Sequence, residues 1–178
     1  MTKILDRLPY ADTTGSVDVR GEQVHVLAHQ IIVWVSVAPV SLREWNSATP
    51  AFPAILDIGT NHNFVISRSH LVRWGGIQPE FLRRLGTTRL DDKRLITREA
   101  DIWLYSNWKG QLEYRRERPP YRLNLNEGII IRTDEGIRRT PLPLLGLRAL
   151  THNELVTIID GARLEVTIRT ARKMWWPW

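Results

Sequence analysis

The chain has 178 residues, 43% of them hydrophobic, with 25 Lys and Arg against 19 Asp and Glu, a net charge of +6, and no cysteine. That length suits one domain able to bury roughly 70% of the surface its unfolded chain exposes. The missing thiols exclude disulfide staples, thiolate zinc sites and cysteine nucleophiles, so any chemistry falls to oxygen and nitrogen side chains.

The first residues, Met1-Thr2-Lys3-Ile4-Leu5-Asp6-Arg7, put acid and base where an export signal needs an apolar stretch of about 7–15 residues. A soluble, cytoplasmic protein is therefore expected. Residues 1–23 read as a polar N-terminal arm, because Asp12-Thr13-Thr14-Gly15-Ser16 is rich in turn formers. From residue 24 the pattern changes: Val24, Val26, Ile31, Val33, Val35 and Val37 recur near period two, which predicts strands with one buried face. The longest apolar run, Ile31 to Val35, falls far short of the roughly 20 residues that span a bilayer, so no transmembrane segment is expected. Pro39 and Asn46-Ser47-Ala48-Thr49-Pro50 break the run.

Phe52-Pro53-Ala54-Ile55-Leu56 leads into Asp57-Ile58-Gly59-Thr60-Asn61, and Phe64-Val65-Ile66 follows, which reads as strand, tight turn, strand. Ser69 to Leu85 has room for one or two helical turns around Trp74-Gly75-Gly76, with Pro79-Glu80-Phe81-Leu82 as a possible start. Further strands are predicted at Asp101 to Tyr105, Tyr121 to Leu125 and Ile129 to Ile131, with Glu127-Gly128 turning between the last two. Pro141 to Gly146 introduces a short helix, Leu147 to Asn153. A hairpin is predicted from Leu155 to Ile168, turning at Asp160-Gly161. The predicted architecture is mainly β with one short helix near the C-terminus: an arm over 1–23, a domain over 24–170 and a Trp-rich tail over 171–178.

Asp57 carries the most chemical information. An apolar strand delivers its carboxylate into a glycine-bearing turn, and an acid so placed is partly desolvated, which allows its protonation to be tuned. The same triplet also reads as a plain polar turn between strands.

Two elements together resemble the retropepsin family of aspartic proteases: Ile55-Leu56-Asp57-Ile58-Gly59-Thr60, and later Leu144-Leu145-Gly146-Leu147-Arg148-Ala149-Leu150. The resemblance spans about Val24 to Thr170. It implies a closed, acid-protease-like β-barrel with Asp57 on the floor of a cleft, an active-site loop of Ile58, Gly59 and Thr60, and a flap hairpin between the two motifs. It also demands a second aspartate. The chain holds one such turn, so the resemblance implies a homodimer that hydrolyses peptide or protein substrates with one Asp57 from each copy, and with no metal or organic cofactor. The family places Thr or Ser after the aspartate, where its hydroxyl grips the partner's backbone. Ile58 has no hydroxyl, which leaves open a catalytically inactive binding or assembly module. Thr60 could instead orient the Asp57 carboxylate. Leu56-Asp57-Ile58-Gly59-Thr60-Asn61 also looks like the phosphate-binding hairpin of the actin, sugar-kinase and Hsp70 superfamily, although the second phosphate loop of those proteins is not found.

The remaining candidates carry blander readings. Arginines cluster at 115, 116 and 118 and at 132, 138 and 139, but Asp91, Asp92, Glu113, Glu117, Asp134 and Glu135 are interspersed. Without an RNA-binding or zinc-finger signature this is a solvated basic surface, and no nucleic-acid partner is expected. His25 and His29 share a face four residues apart but lack a third ligand, so no metal site is predicted; His62 follows Asp57 closely enough to reach a cleft rim, and His70 and His152 carry no motif. No Gly-any-Ser-any-Gly elbow is present. The tail holds three of the eight tryptophans, a composition suited to a dimer contact, a lipid surface or packing against its own domain.

Overall fold

The computed structural model describes residues 2–42, 44–90, 93–134 and 141–171. In chain order its elements are β1 Lys3–Pro9, β2 Gly15–Val19, β3 Glu22–Val26, β4 Ile32–Ala38, β5 Phe52–Asp57, β6 Phe64–Ser67, α1 Arg68–Arg73, β7 Arg84–Leu90, β8 Lys93–Arg98, β9 Asp101–Leu104, β10 Tyr121–Leu123, β11 Ile129–Arg132, β12 Leu144–Gly146, α2 Leu147–His152, β13 Leu155–Asp160 and β14 Glu165–Thr170; a single 3-10 turn covers Pro79–Phe81. The fold is mainly β, as the alternating β-branched runs predict.

Nine strands form one sheet in the order β10-β9-β4-β5-β12-β6-β11-β8-β7, and β1-β14-β13 and β2-β3 form two smaller ones. The nine-stranded sheet ends at β10 and β7 with no pairing between them among the described residues, so the strands are not closed into a barrel. Central strand β4 is buried at six of its seven positions. Its continuous Val and Ile content suits a strand covered on both faces. Phe52, Phe64, Ile102, Leu104, Ile129 and Leu145 of the large sheet, Leu71 and Trp74 around α1, Leu150 of α2, and Leu5, Leu8, Val166 and Ile168 of the three-stranded sheet belong to one contiguous core. At the far side, buried Asp101 takes two bonds from Arg122, Nη2 at 2.6 Å and Nε at 2.8 Å, and one from the Leu125 amide at 3.1 Å, fixing β10 and the segment after it.

The structure departs from the sequence reading in four places. Residues 1–23 are not an arm. β1 pairs with β14 and sinks Leu5 and Leu8 into the core, and β2 pairs with β3. The period-two signal fails in β1 because its register shifts twice and Arg7 sits at φ 50°, which brings adjacent Ile4 and Leu5 both inside. The architecture predicted with one helix gains α1, which falls where the sequence left room for helical turns and is capped where the Ser67 hydroxyl accepts the His70 amide. β5 and β6 do not form a hairpin, because β12 lies between them, parallel to β5 and antiparallel to β6. Finally, β13 runs through Asp160 to a four-residue turn, where Asp160 Oδ1 accepts the amides of Ala162 and Arg163 and Leu164 takes φ 53°. The Trp-rich tail from residue 172, and Asp91, Asp92, Glu135, Arg138 and Arg139, lie outside the described residues. Among the described residues no helix is long and apolar enough to cross a membrane.

Candidate active site

β5 is apolar up to its last residue, and that residue is Asp57. The register with β12 sets Leu144 beside Ile55, Leu145 beside Leu56 and Gly146 beside Asp57. The two motifs, far apart in sequence, thus become neighbouring parallel strands. Gly146 is seated against the loop that follows Asp57: its amide donates to the Asn63 carbonyl at 2.9 Å, and a Cβ there would lie 1.8 Å from the His62 carbonyl oxygen and 2.7 Å from Thr60 Cγ2. Only glycine fits. Directly after it, α2 starts with no side-chain cap and ends on Asn153, whose Nδ2 donates to the Ala149 carbonyl at 2.8 Å and the Asn124 carbonyl at 3.0 Å.

Asp57 is half-buried, and its Oδ1 accepts the Gly59 amide at 2.9 Å. That bond fixes the carboxylate over its own turn. Thr60 does not supply it; its methyl group lies at Gly146 instead. Ile58 is 50% exposed, an aliphatic side chain held out to solvent beside the carboxylate. Leu147, which follows Gly146 as Ile58 follows Asp57, is also exposed. Asp57 closes β5, Ile58 and Gly59 make the turn after it, and Thr60 follows directly. Sequence reasoning missed Asn63, which holds Gly146 through its carbonyl while both side-chain polar atoms are buried without partners. A polar residue ahead of a strand reads as turn, and nothing in its context marks it out. Also missed was the β7–β8 hairpin, which lies between the two motifs in sequence and pairs to the large sheet through β11.

A cavity of about 620 Å³ lies between β3, β5 and α1, with Glu22, His25, Ile55, His70, Trp74 and Leu142 in its wall. Ile55 stands two residues before Asp57 and so on the same face of β5. His25 and His70 both line this cavity, while His62 contributes its carbonyl to the seat of Gly146. Among the described residues no group of three potential metal ligands converges.

His70 stacks on Trp74 with ring centroids 3.7 Å apart and its Nδ1 is buried without a partner. Burial lowers its pKa from 6.5 to about 4, with Arg73 lowering it further and Asp134 and Glu22 opposing. The unfolded chain therefore binds the proton first. Stability from this group is present above pH 6.5 and is lost as pH falls toward 4, about 2 kcal/mol of it between pH 7 and pH 5. Urea midpoints at the two pH values should show this loss in the wild type and a smaller one in His70→Phe, which keeps the stack but cannot titrate.

Comparisons with protein-family models, with curated proteins and with solved structures find no match to this chain.

Proposed function

We propose that this chain is a retropepsin-like aspartic endopeptidase that works as a homodimer, with Asp57 of each copy forming one catalytic pair. The observation that carries the reading is the position of β12: an apolar strand ending in a carboxylate lies parallel to a Leu-Leu-Gly strand that leads straight into a helix, with Gly146 against Asp57. An acid-protease-like arrangement of the strands, open between β10 and β7 in the single chain, belongs to this proposal. So does the assignment of the β7–β8 hairpin as the flap that closes over substrate. Two carboxylates that close cannot both ionise cheaply, so they share one proton. The ionised Asp57 takes a proton from water as its oxygen attacks the scissile carbonyl carbon, and the protonated one donates to the carbonyl oxygen. Collapse of the resulting gem-diol breaks the C–N bond as the Asp57 that took the water proton gives it to the amine nitrogen, and the other Asp57 takes a proton back from a gem-diol hydroxyl, restoring the shared proton. The phosphate-hairpin reading loses support, because its two strands must be neighbours and β12 separates them.

The second reading is a non-catalytic binding or assembly module, favoured by one observation: an exposed Ile58 where the hydroxyl grip belongs. Incubation with a degenerate peptide mixture separates the two. An active enzyme should cleave with a specific activity that rises with chain concentration, as a dimer requires. Ile58→Thr should then tighten the dimer by about tenfold, from two added hydrogen bonds of ~1 kcal/mol each less the lost apolar contact. A wild type silent from acid to neutral pH leaves the binding module.

A further inference from the structure

A second cavity, of about 370 Å³, lies beside the β2–β3 turn, and four aromatic rings stand in its wall: Trp34, Trp45, Tyr105 and Tyr114. It is remote from Asp57, because the wall includes Ala51, just before β5, whereas Asp57 closes that strand six residues on, about 20 Å along an extended chain. The rings are held in place. Trp34 is the one position of β4 that is not buried, and its ring packs on Tyr114 with centroids 4.7 Å apart. Because Ser36 Oγ donates to the Pro50 carbonyl at 2.7 Å, the Tyr105 hydroxyl donates to Ser36 at 2.9 Å and accepts the Trp45 indole N–H at 3.2 Å. Tyr114 bridges to Asn107, whose buried carboxamide ties its loop to the Asp6 amide and to the carbonyls of Trp108 and Gln111, each at 2.9 Å.

Two guanidiniums share this wall. Arg116 lies over the Tyr114 ring, 5.2 Å from its centroid, a stacked placement that leaves its in-plane N–H groups for a ligand. Arg20 makes one bond, from Nη1 to the Arg73 carbonyl at 3.3 Å. It also occupies, at φ 56°, the first place of the two-residue turn Arg20-Gly21, where such turns ordinarily take Asn or Gly. Neither arginine is paired with an acid among the described residues: Glu22 bonds Arg73, and Glu117 bonds Arg115. Asp18, also in the wall, already accepts the Gly21 amide and Gln23 Nε2, both at 3.1 Å.

We infer that this cavity binds a nucleoside monophosphate, its base against the indoles and its phosphate on Arg20 and Arg116. Aromatic faces stack any base, and guanidinium forks match phosphate oxygens. An ammonium ligand would meet two cations, and a neutral sugar would leave both unanswered. The volume falls at the low end of small-molecule pockets, roughly 300–1,000 Å³, which suits one nucleotide and not a strand. The inference goes beyond the endopeptidase reading and does not depend on it.

Calorimetric titration of the full chain, without magnesium, tests AMP, GMP, CMP and UMP in turn, with the matching nucleoside and inorganic phosphate as the two halves. At least one nucleotide should saturate below about 1 mM and bind about tenfold or more tighter than either half. Arg116→Gln should weaken that nucleotide about tenfold and leave its nucleoside unchanged. Arg116 is exposed, so this variant removes the charge with the fold intact. Trp45→Leu should weaken nucleotide and nucleoside alike, by about tenfold, and added salt should weaken the nucleotide alone. The inference is overturned if no nucleotide saturates, if the nucleoside binds as well as the nucleotide, or if Arg116→Gln binds as the wild type does. A short single strand that binds far more tightly than any monomer also overturns it, since the surface would then be a nucleic-acid site.

Discussion

Peptide hydrolysis should fall to background in Asp57→Asn, a loss of about 10³-fold or more, while stability changes by less than about 1 kcal/mol. In a homodimer one substitution removes both carboxylates at once. Asparagine keeps the shape and an Oδ1 that can still accept the Gly59 amide, the bond that holds Asp57 at 2.9 Å, so the turn survives. A carboxamide, however, neither takes a proton from water nor donates an acidic one. Positioned acids and bases contribute about 10²–10⁴-fold each, and in the proposed pair the base and the acid would disappear together. Cleavage rates and urea unfolding measured on the same preparations separate loss of chemistry from loss of fold. Full activity in the variant would end the aspartic mechanism.

Gly146→Ala should be the most damaging small substitution, costing about 3 kcal/mol or more. The added carbon would meet the His62 carbonyl at 1.8 Å, and the obstacle is backbone, not the free end of a side chain. Relief requires β12 to withdraw from Asp57 or the 60–63 loop to move, and either breaks the Gly146 amide bond to Asn63. Overpacking in ordinary cores costs about 1–3 kcal/mol because side chains yield; here Thr60 could turn aside, but the nearest obstacle is the His62 backbone. Gly59→Ala makes a useful contrast, since its Cβ would meet only Asp57 Oδ1, at 3.3 Å. Denaturant midpoints of the two variants should differ widely, and equal midpoints would contradict the seat described for Gly146.

Much of this architecture is legible in the sequence where local rules apply. The alternation of Val33, Val35 and Val37 identifies β4, the break at Asn153 ends α2 within one residue, and the run into Asp57 marks the turn on which the site is built. Non-local pairing is where the reading fails. Leu144-Leu145-Gly146 is too short to show a period, and nothing in those residues names β5 and β6 as neighbours. β1 hides for a different reason: its irregular register destroys the alternation that would reveal it. β7 and β8 carry Arg84, Arg89, Arg94 and Arg98 among few aliphatics, so they read as surface and not as paired strands.

Because β12 enters between two strands that precede it by roughly eighty to ninety residues, the acid is made long before it is seated. At roughly 5–20 residues per second, synthesis from residue 57 to residue 146 takes about 4 to 18 seconds, during which β5 lacks its parallel neighbour. The closure that follows spans a long loop, the kind of contact that forms late and slowly. Whatever chemistry Asp57 performs therefore begins only after the ribosome has passed the glycine that props it, a delay written into the strand order.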